Sequence, residues 1–373
     1  MKITVMGGGN VGTLVAGQLS KNHSVTLLTR KPERFGEIVE VHDEDEGTVE
    51  SVQIERVTND PAAAIEGADL VISTVPAVAA QGVVENCVRY MTAGQMLCFY
   101  PGTGGAELLC GPLLERGCIV FGAQRIRSVA RLNEYGASVR TSGKRKTMHV
   151  GALNPEHGET VRALFQDLFD AETRLLPNYL SVTLTPSNPI LHTSRLHALF
   201  KDYAPGVVYP KIPLFYEDWD EDSSTTLIRC DEELQRVCQA FPGLDLSGVR
   251  PLLEHYESGD ARSLTEKIRS IESFKGLTTP QVEVDGGAVP DLASRYFTAD
   301  FPYGLFIIKA FALIAEVPTP AIDVLLDWYQ DVAGTQYFDF ERGRWGEASE
   351  ALNLPHNRGL DTVAKVSAFY GPR

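Results

Sequence analysis

Three groups of residues in this chain have types and spacings suited to chemistry. The first is Gly7-Gly8-Gly9-Asn10-Val11-Gly12, which follows the apolar run Lys2 to Met6 and precedes the amphipathic stretch LVAGQL. Strand, glycine turn and helix in that order form the setting in which G-x-G-x-x-G cradles a dinucleotide. Gly7 allows the tight turn, Gly9 lets a pyrophosphate approach the backbone, and Gly12 lets helix and strand pack closely. The helix N-terminus at Asn10 and Val11 offers unpaired N–H groups to phosphate. The next apolar strand, Ser24 to Leu28, ends at Thr29-Arg30-Lys31, with Arg34 close behind. An NAD-specific fold carries an acidic residue there for the ribose 2′-OH. Cations suit a 2′-phosphate instead, so the expected cofactor is NADP(H), with NAD(H) as the alternative. The plainer reading, a glycine-rich turn in some other α/β protein, is disfavoured by its place between two strands.

The second group is TPSNPILH, Thr185 to His192, where two prolines bracket Asn188 and a histidine sits just inside an apolar run. A neutral imidazole at a domain junction can pass a proton to or from a carbonyl or an amine. A hydrogen-bonded core histidine is the structural alternative. His197 lies five residues on and is turned off the same helix face, which argues against a metal pair, and no metal is expected. The third group is RYFTADFPYGL, Arg295 to Leu305. Asp300 either caps the apolar helix that follows or holds an imidazole in its working tautomer. Arg295 either grips a substrate carboxylate or serves a structural ion pair. Gln124, at the end of the strand Cys118 to Phe121, is placed to face the cleft.

These residues need a scaffold of alternating strands and helices, and the chain supplies one. Asp69 to Thr74 reads as a buried strand ending at Val75-Pro76; strand carboxyl ends are where an open α/β sheet binds its ligand, so Thr74 and Val75 are expected to flank the cofactor, an ordinary strand stopped by proline being the alternative. Gln95 to Tyr100 is another strand, ending in the glycine loop Pro101 to Gly105, which is either a ligand-approach loop or a plain turn. Val52 to Val57 reads as an outer strand and the acidic run His42 to Glu50 as a solvated loop or hairpin tip. Ala137 to Thr141 and Thr147 to Val150 read as a hairpin turning at Ser142-Gly143, with a solvated basic tip. The expected architecture is a doubly wound α/β Rossmann domain over residues 1–178 and an all-α domain over 179–373. In the latter, Pro213 to Asp222 mixes aromatic and acidic residues before a long helix. It reads as a solvated loop with Asp222 to Ser224 as cap, or as a place where Trp219 and a carboxylate meet a cationic amine.

Composition excludes several other classes. The net charge of −15 over 373 residues repels nucleic-acid backbones and anionic lipid surfaces, so neither is expected as a partner. Six cysteines without a C-x-x-C pair, most of them in apolar runs, read as reduced thiols in a cytoplasm. Tyr303 to Val317 is interrupted by Lys309 and is short for a membrane span.

The GGGNVG start, SNPILH and RYFTADFPYGL, in that order over nearly the full length, resemble the octopine/nopaline (opine) dehydrogenase family. The resemblance implies a Rossmann domain paired with an all-helical C-terminal domain. It also implies reductive condensation, in which the amine of an L-amino acid and the carbonyl of a 2-oxo acid form an imine that NAD(P)H reduces. His192 would be the general acid/base and Asp300 its orienting partner. Gln124 would lie near the oxo-acid carboxylate, and Asn188 and Arg295 would complete the substrate contacts. The segment RIRSVARL after Gln124 lacks the proline-containing stretch associated with that family. A homodimer is compatible with these features. The rival readings are a ketopantoate-type or 2-hydroxy-acid reductase, which needs no amine, and a sensor that binds NADP(H) without turning it over.

Overall fold

A computed structural model of the chain describes residues 1–371 and separates into two units, Met1–Thr183 together with Tyr370, and Leu184–Phe369. In the first unit β1 (Lys2–Met6), α1 (Asn10–Leu19), β2 (Ser24–Leu28), β3 (Ile38–Asp43), β4 (Thr48–Gln53), β5 (Arg56–Thr58), α2 (Pro61–Ile65) and β6 (Leu70–Ser73) come first. They are followed by α3 (Ala80–Tyr90), β7 (Met96–Phe99), α4 (Gly111–Glu115), β8 (Ile119–Ala123), β9 (Val129–Glu134), β10 (Ser138–Ser142), β11 (Thr147–Ala152), α5 (Gly158–Phe169), β12 (Glu172–Leu175) and α6 (Leu180–Thr183).

The large sheet has the order β5-β2-β1-β6-β7-β8, all parallel, extended by β11 antiparallel to β8 and by β12 parallel to β11. The central strands β1 and β6 are buried nearly throughout, as expected of a parallel sheet covered on both faces. Strand order reverses between β1 and β6, so the crevice where such sheets take ligands opens at Gly7 and Thr74. This is the expected doubly wound Rossmann architecture.

A second sheet, β4-β3-β10-β9, lies against α1. A Cβ on Gly17 of α1 would come 2.8 Å from Val41 of β3, so the missing side chain lets the sheet approach. Two expectations fail here for one reason, which is that neighbours in sequence go to different sheets. Val52 to Val57 is broken between β4 in the small sheet and β5 at the edge of the large one. The expected hairpin does not exist, because β10 pairs with β9 and β3 while β11 pairs with β8 and β12. The intervening basic segment is at the surface, with Arg145 and Lys146 exposed, but Lys144 in it is engaged. Asp45 accepts hydrogen bonds from the backbone N–H groups of Gly143 and Lys144, which hold its carboxyl below the usual range, and Lys144 pairs with Asp43 and Glu46. The acidic run and the basic run are partners.

The domain boundary lies five residues later than expected, because the segment after Asn178 packs on the first unit. All four residues of α6 are buried, and a Cβ on Gly151 would collide with the Asn178 carbonyl at 2.9 Å. Tyr370 also belongs to this unit. Its hydroxyl donates to Oε1 of the fully buried Glu107 at 2.7 Å, an oxygen that also accepts from Thr183 at 2.5 Å.

The second unit is mainly helical: α7 (Ser187–Phe200), α8 (Glu221–Gln239), α9 (Leu252–His255), α10 (Ala261–Ser270), α11 (Arg295–Thr298), α12 (Phe306–Ile314), α13 (Pro320–Ala333) and α14 (Val363–Tyr370) up to Phe369, its last residue being counted with the first unit. Two small hairpins interrupt it, β13 (Gln281–Val284) with β14 (Gly287–Pro290) and β15 (Phe338–Asp339) with β16 (Arg344–Trp345). From Arg295 to Ile314 the helix is continuous, long and apolar enough to cross a membrane by length and composition, with 67% of its apolar window buried inside the protein. Lys309, expected to interrupt that run, is itself buried in it and pairs with Asp323 at 2.6 Å.

Candidate active site

In the first unit the glycine loop has the geometry of a phosphate cradle. Gly7 has φ +111°, a conformation L side chains rarely adopt, and a Cβ on Gly12 would lie 1.7 Å from the Gly7 carbonyl oxygen. The protein's own packing therefore explains both glycines. Gly9 is different: its φ is −90°, and an added Cβ would meet nothing within 4 Å. Nothing in the chain requires glycine there, whereas a pyrophosphate drawn close to the backbone at the N-terminus of α1 does. The residues present thus fit a dinucleotide. Thr74 and Val75 crowd this loop from the end of β6, and the Thr74 hydroxyl donates to the Met6 carbonyl at 2.9 Å. Asn10 has a structural task besides its helix-terminal N–H, since its Oδ1 accepts from the Leu132 backbone at 2.8 Å and ties β9 to α1. Val11 is half-buried in the first turn.

Beyond β2, Arg30, Lys31 and Arg34 are all exposed, while Thr29 is buried. The Thr29 hydroxyl lies 3.2 Å from the Tyr135 hydroxyl, and the Arg34 guanidinium sits 5.2 Å over the Tyr135 ring. Tyr135 comes from the β9–β10 turn, whose Gly136 has φ +79° and so close an approach to Arg34 that a Cβ would lie 2.0 Å from its carbonyl oxygen. Sequence reasoning missed Tyr135, because the turn reaches the end of β2 only through the second sheet. The loop Pro101 to Gly105 has a packing reason. Gly102 sits against Gly122 and the Tyr179 hydroxyl, which a Cβ would approach to 2.8 Å. Gln124 is buried at the end of β8 and donates from Nε2 to the Ser181 carbonyl at 2.8 Å.

In the second unit the two distant motifs meet. His192, in the second turn of α7, is 8% exposed at its side chain, and its Nδ1 lies 2.7 Å from Oδ2 of Asp300. Asp300 immediately precedes a single π-helical turn, Phe301–Leu305, and makes no capping hydrogen bond. Of the two readings of Asp300, the structure has the imidazole partner. A Cβ on Gly304 would come within 2.9 Å of Pro189, so glycine in the π turn lets the first turn of α7 close on it. Wide turns of this kind are frequent where a helix must aim one side chain. Nε2 of His192 lies 2.9 Å from the Tyr216 hydroxyl, and the Tyr296 ring packs at 4.3 Å from the imidazole.

Tyr216 is delivered by the segment expected to be solvated. Arg195, one turn beyond His192 and completely buried, explains how. Nε donates to the Phe215 carbonyl, Nη2 to those of Leu214 and Asp218, and Nη1 to Asp220 and Ser223. A guanidinium has five N–H donors, and all five are used on this segment. Trp219 is also fully buried, with Nε1 donating to Ser224 at 2.9 Å, so it is part of the core and does not meet an amine. The cap of α8 is Asp220, which accepts from the Ser223 N–H at 2.7 Å, while Asp222 pairs with Lys201 at the surface. Asn188 and Arg295 are exposed, the first in the opening turn of α7 and the second beside Tyr296. Among the described residues no group of three or more His, Cys, Asp or Glu side chains could hold a metal ion.

A doubly wound unit of this strand order with such a glycine cradle is the dinucleotide-binding half of an oxidoreductase. Residues 3–155 match the ketopantoate reductase PanE/ApbA family, and residues 175–333 match the alpha-helical domain of NAD/NADP octopine/nopaline dehydrogenases. Octopine dehydrogenase of Mizuhopecten yessoensis is 30% identical over 98% of both chains, and tauropine dehydrogenase of Arabella iricolor 27% identical over 98% of this chain and 99% of its own. A solved octopine dehydrogenase holding NADH and L-arginine superposes with a TM-score of 0.85 at 28% identity, covering 98% of this chain and 97% of its own. The protein belongs to the octopine/nopaline dehydrogenase family, and is an NAD(P)-dependent oxidoreductase acting on CH–NH bonds.

Proposed function

We propose that the protein condenses an L-amino acid with a 2-oxo acid and reduces the resulting imine, with NADP(H) preferred over NAD(H). The observation that carries this reading is the 2.7 Å contact between His192 Nδ1 and Asp300 Oδ2. An ionised carboxylate accepts the Nδ1 proton, which leaves Nε2 as the atom that exchanges protons and stabilises the imidazolium when it forms. Imine formation loses water and is assisted by an acid, and imine reduction needs a proton on nitrogen; one imidazole serves both. Bound NAD(P)H supplies the hydride to the imine carbon. Asn188, Gln124 and Arg295 are assigned to the substrates, the last through its exposed, unpaired guanidinium. In the first unit Gly7, Gly9, Asn10, Val11 and Gly12 hold the pyrophosphate, with Thr74 and Val75 beside them. Thr29, Arg30, Lys31 and Arg34 take the 2′-phosphate. This preference departs from the similar octopine dehydrogenase that holds NADH.

The test is a screen of NADPH and NADH oxidation that crosses the common amino acids with pyruvate, oxaloacetate and 2-oxoglutarate, with products read by mass. Oxidation that requires both substrates and runs faster with NADPH is the expected result. Oxidation with a 2-oxo acid alone identifies a reductase of the ketopantoate type, which the match over residues 3–155 would equally suit. Binding without oxidation identifies a sensor.

A further inference from the structure

Aromatic side chains surround His192. Between ring centres, Tyr296 lies 4.3 Å from the imidazole, Phe215 5.6 Å and Tyr216 6.3 Å. Phe215 is 5.0 Å from Tyr296 and 4.8 Å from Tyr216, and Phe274 stacks on Tyr216 at 4.1 Å, so the four rings make one continuous row. Its middle, Phe215 and Tyr216, is buried, while its two ends, Tyr296 and Phe274, are half-buried and keep ring surface open. Arg195 fixes the row through the carbonyls of Leu214, Phe215 and Asp218. The Tyr216 hydroxyl, 2.9 Å from Nε2, marks the direction from which a substrate nitrogen meets the imidazole. The carbon skeleton attached to that nitrogen then lies against the rings.

The charged groups of the same surroundings are already engaged. Glu217 accepts from the Gly276 N–H at 2.6 Å, Asp218 from the Leu214 N–H at 2.8 Å, Asp220 from the Ser223 N–H and Arg195, and Asp222 pairs with Lys201. Glu221, the fifth carboxylate of that segment, is exposed in the first turn of α8. Asp300 holds His192, and Lys275, next to Phe274, pairs with Glu272 at 2.5 Å. A ring face attracts a cation, but at an exposed site this is small beside the cost of stripping water from a charged head that gains no counter-ion. Burying an apolar side chain there carries no such cost and is worth roughly 10- to 100-fold in binding.

We propose that the amine substrate is an L-amino acid with an apolar side chain, held against Tyr296 and Phe274, in preference to one with a charged side chain. This differs from the L-arginine held by the similar octopine dehydrogenase. The inference rests on the condensation reading, and the test separates the two. With the cofactor and 2-oxo acid that give the fastest turnover, kcat/KM is measured for leucine, methionine and phenylalanine against arginine, lysine and glutamate. The best apolar amino acid should exceed the best charged one by roughly tenfold or more. A ratio below about threefold, or a reversed one, overturns the preference and leaves the condensation intact. Oxidation that needs no amino acid overturns both. Phe274→Ala removes one end of the row without touching the imidazole. It should raise KM for leucine roughly tenfold and leave KM for alanine within about threefold, whereas a merely structural loss would move both alike. Phe274→Leu, which keeps an apolar end, should recover most of the leucine KM. Equal changes for leucine and alanine, or none for either, would overturn the placement against these rings.

Discussion

His192 and Asp300 stand 108 residues apart in the chain and 2.7 Å apart in the fold. The contact depends on a π turn in one helix and a glycine, Gly304, that lets the other helix press against it. Asp300→Asn retains the shape but presents an amide to Nδ1. It should lower kcat roughly 10²- to 10⁴-fold while the dissociation constant for NADPH, measured by fluorescence titration, stays nearly unchanged. Turnover within threefold of wild type would remove Asp300 from the mechanism.

Arg195 holds the segment that presents Tyr216. Arg195→Met strips five hydrogen bonds from a buried position and leaves Asp220 and three carbonyls without their partner. A loss of about 3–5 kcal/mol in unfolding free energy is expected by urea titration. Arg195→Lys should recover only part of it, since an ammonium cannot match a five-donor fork.

Glu107 makes stability depend on pH. Burial pushes its carboxyl from 4.5 up to about 7, against the hydrogen bonds from Thr183 and Tyr370, and its Oε2 has no partner. The folded state therefore keeps this proton more tightly than the unfolded chain does. Its contribution is complete below pH 4.5 and disappears as pH rises through about 7. Glu107→Gln stays neutral at every pH. Its stability relative to wild type should rise between pH 5 and pH 8 by about 3 kcal/mol. Parallel stability curves for the two proteins would refute this.

At the end of β2, Arg30→Asp should move the kcat/KM ratio of NADPH to NADH toward NADH by roughly tenfold or more. Tyr135→Ala removes the ring under Arg34 and the hydroxyl beside Thr29, and should shift the ratio the same way by a smaller factor. An unchanged ratio in both variants would mean that these cations face something other than a 2′-phosphate.

Features written in local sequence were legible. The strand, glycine loop and helix at residues 2–19 follow from short-range pattern, as do the buried strands β6 and β7. His192 stood out as a histidine between prolines and an apolar run, and its link to Asp300 came from resemblance. Pairings between distant segments were not legible. The misread hairpin at Ser142 and the broken strand at Gln53 both come from strands that leave their sequence neighbours for another sheet. Tyr216 was hidden for a related reason. Five acidic residues make its segment look solvated, and only Arg195, on a different element, shows that its backbone carbonyls are turned inward.

The bond between Glu107 and Tyr370 has a consequence during synthesis. A ribosome will have made every strand of the large sheet long before residue 370 emerges, so the nascent first unit carries Glu107 without its phenol while all of Leu184–Phe369 is translated. A first unit made without residue 370 would keep the Thr183 hydroxyl on Glu107 but lack the phenol that shares the same oxygen.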